Sequence, residues 1–383
     1  MKLYSQNTML YTRKLQYIIE QNLKKGKILI VYGARRVGKT TLMKQILEAH
    51  PDGKYVNCDL LQYKSALETT NSELLKDFIG KADVLILDEA QQINEIGRVL
   101  KIIADNFQAI RVIATGSSSF ELINRISEPL TGRSRYYELM PFSVTELLQK
   151  YNKIELNARL ENILRFGLYP EIVDLSESEA IEELQNISSN YLYKDILRIE
   201  SIKRPDLIHN LLKALALQLG SESSYNELAG MLGENVHTIK RYIEILEQCF
   251  VVFRLPSFSR NLRKELGKRN KIYFYDLGIR NSLIMNFNSL DKRNDVGALW
   301  ENFCIVERLK YNIDQRRFVN IYFWRTYDQK EIDYIEETGG KLHAFEFKWS
   351  SAKRSKFPAE FSRIYPESTN LTIDRDNFWT LLE

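Results

Sequence analysis

The sequence predicts an α/β protein whose N-terminal part carries a parallel sheet, and three observations predict it. Apolar runs recur as Ile28-Leu29-Ile30-Val31-Tyr32, Val84-Leu85-Ile86-Leu87 and Ile110-Arg111-Val112-Ile113-Ala114. Amphipathic, helix-patterned stretches separate them, which is the alternation expected of βαβ units. Each run ends in residues with a chemistry of their own: a glycine-rich turn, a pair of acids, and a string of small hydroxyls.

The first run leads into Gly33-Ala34-Arg35-Arg36-Val37-Gly38-Lys39-Thr40, which meets the pattern G-x-x-x-x-G-K-[ST] at every fixed position. A helical stretch, Thr40-Thr41-Leu42-Met43-Lys44-Gln45-Ile46-Leu47, follows. Between strand and helix, the glycines let the backbone fold tightly around an anion. Amide N–H groups and the helix N-terminus then point at phosphate oxygens. Residues 33–41 are therefore expected to hold ATP, with Lys39 reaching the β- and γ-phosphates and the Thr40 hydroxyl ligating Mg²⁺.

The second run is continuously apolar, as suits a central parallel strand covered on both faces. It ends in Asp88-Glu89, about fifty residues past the glycine-rich turn. An acid there can hold the Mg²⁺ shell, and the next can align and deprotonate the attacking water. We assign Asp88 to Mg²⁺ and Glu89 as general base. The third run continues into Thr115-Gly116-Ser117-Ser118-Ser119, where a sensor of the γ-phosphate would sit. Ser117 or Ser118 is the expected contact, against the plainer reading of a loop with helix N-cap residues. Arg133, in Leu130-Thr131-Gly132-Arg133, is the charge-stabilising arginine of this reading, acting in cis or across a subunit interface.

The chain has 383 residues, more than one core comfortably holds, so two or three domains are expected. With 44% hydrophobic and 27% charged residues it is globular rather than disordered. No apolar run approaches a membrane span, and Met1-Lys2-Leu3-Tyr4-Ser5-Gln6 lacks a signal-peptide core. Cys58, Cys249 and Cys304 are scattered without metal-ligand spacing, which suits a reducing cytoplasm. His50, His209, His237 and His343 are equally dispersed, so no zinc site is expected. The net charge of +4 does not announce a nucleic-acid binder. One basic run, residues 260–271, reads as a solvated loop or as a phosphate clamp.

These patterns divide the chain into an α/β nucleotide domain (1–140), a helical connecting region (141–220), a winged helix-turn-helix (221–258) and a last α/β domain (259–383). In the third part, Tyr225-Asn226-Glu227-Leu228-Ala229-Gly230-Met231-Leu232 forms a short helix and Gly233-Glu234-Asn235 a turn. A second helix from Val236 to Gln248 follows, then the wing strand Cys249-Phe250-Val251-Val252-Phe253-Arg254-Leu255. In a DNA reader that second helix presents His237, Thr238, Lys240 and Arg241 to the major groove; otherwise the module serves packing or protein contacts.

The last part holds a second constellation. Glu301 lies on a helix, Asp333 on the strand Glu331-Ile332-Asp333-Tyr334-Ile335, and Glu346 and Lys348 on the strand reached through Gly339-Gly340. The strand period of two puts Glu346 and Lys348 on one face, with Asp333 beside them. Two carboxylates for Mg²⁺, a lysine for developing phosphate charge and a helical glutamate form a phosphodiesterase-like D…E-x-K arrangement of restriction-endonuclease-like folds. Surface salt bridges along a hairpin are the plainer alternative.

Taken together, the chain resembles, over nearly its full length, the bacterial and archaeal AAA-type ATPases that carry a C-terminal domain of unknown function with a nuclease-like core. The resemblance rests on Gly-Ala-Arg-Arg-Val-Gly-Lys-Thr-Thr at 33–41, Leu-Asp-Glu-Ala at 87–90, Thr-Gly-Ser-Ser-Ser at 115–119 and Leu-Thr-Gly-Arg at 130–133. It continues in Glu-Leu-Met-Pro-Phe-Ser at 138–143, Tyr-Phe-Tyr-Asp-Leu-Gly at 273–278 and Gly-Ala-Leu-Trp-Glu-Asn at 297–302, and in the Glu331-Ile332-Asp333 and Glu346-Phe347-Lys348 pieces. One departure is Phe166-Gly167-Leu168-Tyr169-Pro170-Glu171, where the family tends to Gly-Gly-Phe-Pro-Glu. The resemblance implies ATP binding and hydrolysis and leaves the cellular task open.

Three functions compete. The first is a cytoplasmic Mg²⁺-dependent ATPase coupled to DNA through the winged helix and the nuclease-like domain. The second is an ATP-dependent switch or scaffold for a protein partner, or for a homo-oligomer, with the C-terminal domain as an inactive docking module. The third is a P-loop kinase, which Asp88-Glu89 disfavours because the pair suits water activation. None of the three needs a membrane.

Overall fold

The computed structural model describes residues 11–116, 130–192, 196, 204–258, 270–326, 328, 330–351 and 357–383. The chain divides into two compact units. The first takes residues up to 156 except 33–37 and 117–120, which group with the second, together with 157–383.

In the first unit, five parallel strands are ordered β2-β3-β4-β1-β5: β1 (Ile28–Tyr32), β2 (Lys54–Asn57), β3 (Val84–Asp88), β4 (Arg111–Gly116) and β5 (Ser134–Glu138). All five residues of β3 are buried, and so are all but the last residue of β1 and the first of β4. The helices are α1 (Lys14–Asn22), α2 (Lys39–Glu48), α3 (Leu61–Leu67), α4 (Ser72–Ile79), α5 (Ile96–Asn106) and α6 (Val144–Leu147). On one face Ile28, Ile30, Leu85, Leu87, Val112 and Ala114 share a core with Leu75, Ile96, Leu100 and Ile103. The alternate strand positions and the helical spacing along α5 are the reason these side chains meet. Each fully buried Leu or Ile contributes about 1.5–3 kcal/mol. Because the strands are parallel, Tyr32, Asp88, Gly116 and Glu138 all end at one sheet edge, where ligands of such folds bind.

The boundary expected at residue 140 moves. Ser143 caps α6 in a capping box with Glu146, and Glu146 accepts from Arg13 Nε at 2.9 Å and from the Lys14 N–H at 3.0 Å. Burial disfavours the charged Glu146, but Arg13 outweighs it and holds the carboxyl below its ordinary range. These bonds keep the segment up to 156 with the first unit.

Helix α7 (Lys153–Ala158) begins in the first unit and ends in the second, which contains α8 (Leu160–Phe166), α9 (Glu177–Asn186) and α10 (Pro205–Leu217), then β6 (Glu222–Ser223), α11 (Tyr225–Leu232), α12 (Val236–Gln248), β7 (Val252–Pro256), β8 (Asn270–Phe274) and α13 (Leu277–Leu283). Strands β6-β8-β7 form an antiparallel sheet. The boundary expected at 258 thus falls inside this sheet, one strand too early. Then come α14 (Val296–Asp314), β9 (Asn320–Arg325), β10 (Glu331–Thr338), β11 (Lys341–Phe347), α15 (Ala359–Ile364) and β12 (Thr369–Ile373), whose four strands form a mixed sheet. Its order is β12-β11-β10-β9, antiparallel except for the parallel β11–β12 pair. Most of the basic run lies outside the described residues. Its last residue, Lys271, is buried instead of solvated, at 1% exposure. Among the described residues, no helix is long and apolar enough to cross a membrane.

Candidate functional site

At the carboxyl edge of the first sheet, Gly38 has φ 93°, which only glycine adopts without strain, and its carbonyl accepts the Leu42 N–H at 2.9 Å. That lets α2 begin directly at Lys39, which is buried. The Thr40 hydroxyl donates to Asp88 Oδ2 at 2.7 Å. Tyr55 OH donates to the same oxygen at 2.6 Å, and the Thr115 hydroxyl donates to Oδ1. Asp88 itself is 2% exposed. Burial, with the Asp88 charge adding to it, raises the Tyr55 phenol and pushes the Cys58 thiol up to about 12.

The neighbouring acid is held differently. Glu89 takes the left-handed φ of 53°, its N–H donates to Thr115 Oγ1 at 3.1 Å, and its carboxylate accepts from Gln91 Nε2. The strained backbone turns Glu89 off the strand direction that Asp88 still follows. A threonine hydroxyl and a carboxylate in contact at the edge of a buried strand are the hard oxygen donors that suit Mg²⁺. The residues therefore fit a Mg²⁺–nucleotide.

Of the residues assigned from sequence, Lys39, Thr40 and Asp88 come together, with Glu89 next to Asp88. Ser117 and Ser118 lie outside the described residues. Arg133 is displaced: its carbonyl accepts the Ile28 N–H at 2.9 Å, at the opening end of β1, and its guanidinium pairs with Asp105 at 2.7 Å. One five-residue strand, about 16 Å, separates that end from the glycine-rich turn, so Arg133 does not reach its own chain's phosphate cradle. Thr115, Tyr55 and Gln91 went unassigned. Thr115 had a signal, as the first hydroxyl of its run and still on β4. Tyr55 had none, because its proximity to Asp88 arises from β2 pairing with β3.

Arg36, inside the turn, has φ 63° and forms ion pairs with Glu171 at 2.6 Å and with Glu183, all three within the second unit. Glu171 belongs to the segment that departs from the family pattern. The preceding Gly167 (φ 75°) closes α8, and Leu168 N–H donates to Asp276 Oδ2 at 2.7 Å.

Elsewhere in the second unit, Asn235 caps α12 by accepting the Thr238 N–H at 2.8 Å, and His237, Lys240 and Arg241 are exposed on that helix. Lys348 Nζ lies 2.9 Å from Glu346 Oε2 and 3.7 Å from Asp333 Oδ2, and the Phe347 N–H donates to Asp333 Oδ2 at 2.8 Å. Carboxylate oxygens of Glu301, Glu331 and Asp333 come within 4.8 Å of one another. Glu331 and Lys271 are additions that sequence reading did not make. Lys271 Nζ donates to Glu301 Oε1 at 2.9 Å and ion-pairs with Glu331. Burial raises Glu301 and Glu346 above the ordinary carboxylate range, with the neighbouring Asp333 adding to it. The oxygens have the spacing of a divalent-ion site, but a lysine ammonium stands among them, so as folded these residues do not fit a metal ion.

Residues 25–148 match the family described as "AAA domain", residues 157–290 a "Domain of unknown function (DUF8612)" and residues 296–376 a "Domain of unknown function (DUF4143)". An uncharacterized protein of Mycobacterium tuberculosis is 26% identical over 336 residues, 87% of this chain and 73% of the relative. One from Methanocaldococcus jannaschii is 28% identical over 342 residues, 83% of this chain and 74% of the relative. Among solved structures, a Walker-type ATPase of Pyrococcus abyssi superposes with a TM-score of 0.51 at 15% identity, over 74% of this chain and 99% of that one. Motif, parallel sheet and these similarities together show a P-loop ATPase-type fold in the matched N-terminal part of the chain.

Proposed function

We propose that this chain is a Mg²⁺-dependent ATP hydrolase that couples nucleotide turnover to nucleic-acid binding through its C-terminal modules. The observation that supports the hydrolase reading is the Thr40–Asp88 hydrogen bond, in which the hydroxyl of the phosphate turn meets the carboxylate that ends the acidic strand. In this reading the backbone of residues 33–41 cradles the phosphates and Lys39 neutralises the β- and γ-oxygens. Bound Mg²⁺ supplies charge neutralisation of the transferring phosphoryl group. Glu89 orients and deprotonates water, while Thr115 fixes Asp88 and the Glu89 backbone at once. Any part for Arg133 requires a second copy of the chain.

Two features support the nucleic-acid half. The run α10–β6–α11–α12–β7–β8 has the element order of a winged helix-turn-helix, with His237, Lys240 and Arg241 exposed on the second helix. The run α14–β9–β10–β11–α15–β12, with Asp333 and Glu346 on adjacent strands and Lys348 just past the end of β11, has the order expected of a restriction-endonuclease-like core. The Cys58, Cys249 and Cys304 side chains, all buried, suit a reducing cytoplasm.

The test is the steady-state ATPase rate with and without duplex and single-stranded DNA, with Lys39→Ala as blank. Stimulation by DNA that vanishes in the blank supports the reading. A slow rate indifferent to DNA overturns its nucleic-acid half. It would favour a protein-directed switch, the second reading, to which the Arg36 pairs with Glu171 and Glu183 point because they tie the nucleotide turn to acids of the helical region.

A further inference from the structure

The carboxylate cluster of the second unit already contains a cation. Lys271 stands on β8, a strand of the small antiparallel sheet, and is 1% exposed. Its ammonium donates to Glu301 and pairs with Glu331, two of the three acids whose oxygens have divalent-ion spacing. Tyr273, two residues along the same strand and so on the same face, donates its hydroxyl to the same Glu301 oxygen. Phe323 lies 5.6 Å from the ammonium and is itself buried, so its ring closes that side. The remaining acids are also matched: Lys348 faces Asp333 and Glu346, and Arg325 lies 3.4 Å from Glu331 and 2.8 Å from Glu222.

We infer that Lys271 is the resident cation of this cluster and that the chain takes no divalent metal between Glu301, Glu331 and Asp333. A metal ion there would compete with Lys271 for the same two carboxylates. It would also repel a buried ammonium in a medium that screens charge poorly. With its cation supplied by the chain, the C-terminal domain acts as a binding module and not as a metal-dependent nuclease. Since Lys271 comes from the strand that completes the helix-turn-helix sheet, its ion pairs also tie that sheet to the carboxylate face.

The inference concerns this cluster alone, and its test uses neither nucleotide nor nucleic acid, so its outcome is separate from that of the ATPase assay. Free Mn²⁺ is followed by electron paramagnetic resonance as it is titrated into the full chain carrying Asp88→Asn, which silences the P-loop metal position. With Lys271 present, no Mn²⁺ equivalent sensitive to Asp333→Asn is expected. Lys271→Met should gain one equivalent, lost again when Asp333→Asn is added. Lys271→Gln gives the same comparison, so a folding defect in one variant, read by circular dichroism, does not decide the matter. Mn²⁺ binding that depends on Asp333 while Lys271 is in place overturns the inference. So does a folded Lys271 variant that gains no Mn²⁺.

Discussion

Asp88 gathers three hydroxyl donors, from Thr40, Tyr55 and Thr115, so the chemistry of the P-loop site is decided at single side chains. Glu89→Gln keeps the shape and the hydrogen-bonding capacity but removes the base. It should lower kcat by about 10²–10⁴-fold while leaving ATP affinity nearly unchanged, as separate rate and equilibrium-binding measurements would read. An unchanged kcat would remove Glu89 from the mechanism. Thr115→Val removes the donor to Asp88 and the acceptor of the Glu89 N–H together. A loss of about 1–3 kcal/mol in denaturant-unfolding free energy is expected, with slower hydrolysis, because both partners are left unsatisfied in a buried setting. The sequence made Lys39 and Thr40 legible because the P-loop pattern is local, and Asp88 because it ends a continuously apolar run that reads as a central strand. Thr115 and Tyr55 act across neighbouring strands, and one-dimensional spacing carries no record of strand order.

Among elements, α13 shows how a contact decides a residue. A Cβ on Gly278 would collide with the carbonyl oxygen of Phe166 at the end of α8. Gly278→Ala should therefore destabilise the chain by about 1–3 kcal/mol or more, as backbone cannot yield the way a side-chain tip does. Full stability in chemical denaturation would show that the helices separate at no cost. On α12, the double change Lys240→Glu with Arg241→Glu should abolish DNA stimulation of the ATPase and leave the DNA-free rate intact. Binding titrations at two salt concentrations should show a shallower salt dependence than the parent. Retained stimulation would shift the helix to a packing or protein-contact role. The helix pair and its turn were readable from Gly233 and the apolar face of α12. The third strand was not, because β8 returns only after residue 269 and is recognised by its pairing with β6 and β7.

At the scale of the whole molecule, long-range ion pairs set the response to pH. Glu336 on β10 is fully buried, accepts from Arg308 Nε and one terminal nitrogen at 2.9 Å each, and also accepts from Asn312. Burial works against its charge, but Arg308, Asn312 and Arg317 outweigh burial and hold the carboxyl below its ordinary range. A lowered folded-state pKa means stability that is present above the unfolded value of about 4.3 and lost as pH falls through the folded value. Thermal melts between pH 7 and pH 3 should show this acid-side loss. Arg308→Ala should cost about 3–5 kcal/mol at neutral pH by leaving Glu336 buried and unpaired, and should flatten the acid-side slope. A slope unchanged in Arg308→Ala would place the acid sensitivity elsewhere.

The sequence by itself determined the nucleotide turn, the acidic strand end, the alternation that makes the first sheet parallel, and the Asp333, Glu346 and Lys348 set. All of these are short-range patterns in which period and neighbour dictate geometry. Tertiary structure decided what lies opposite them. It placed Arg133 a strand's length from the phosphate turn, set Thr115 and Tyr55 on Asp88, and brought Lys271 from another sheet into the acids of the last one. Such contacts depend on strand order and on which buried charge meets which partner, and those are properties of the folded chain as a whole.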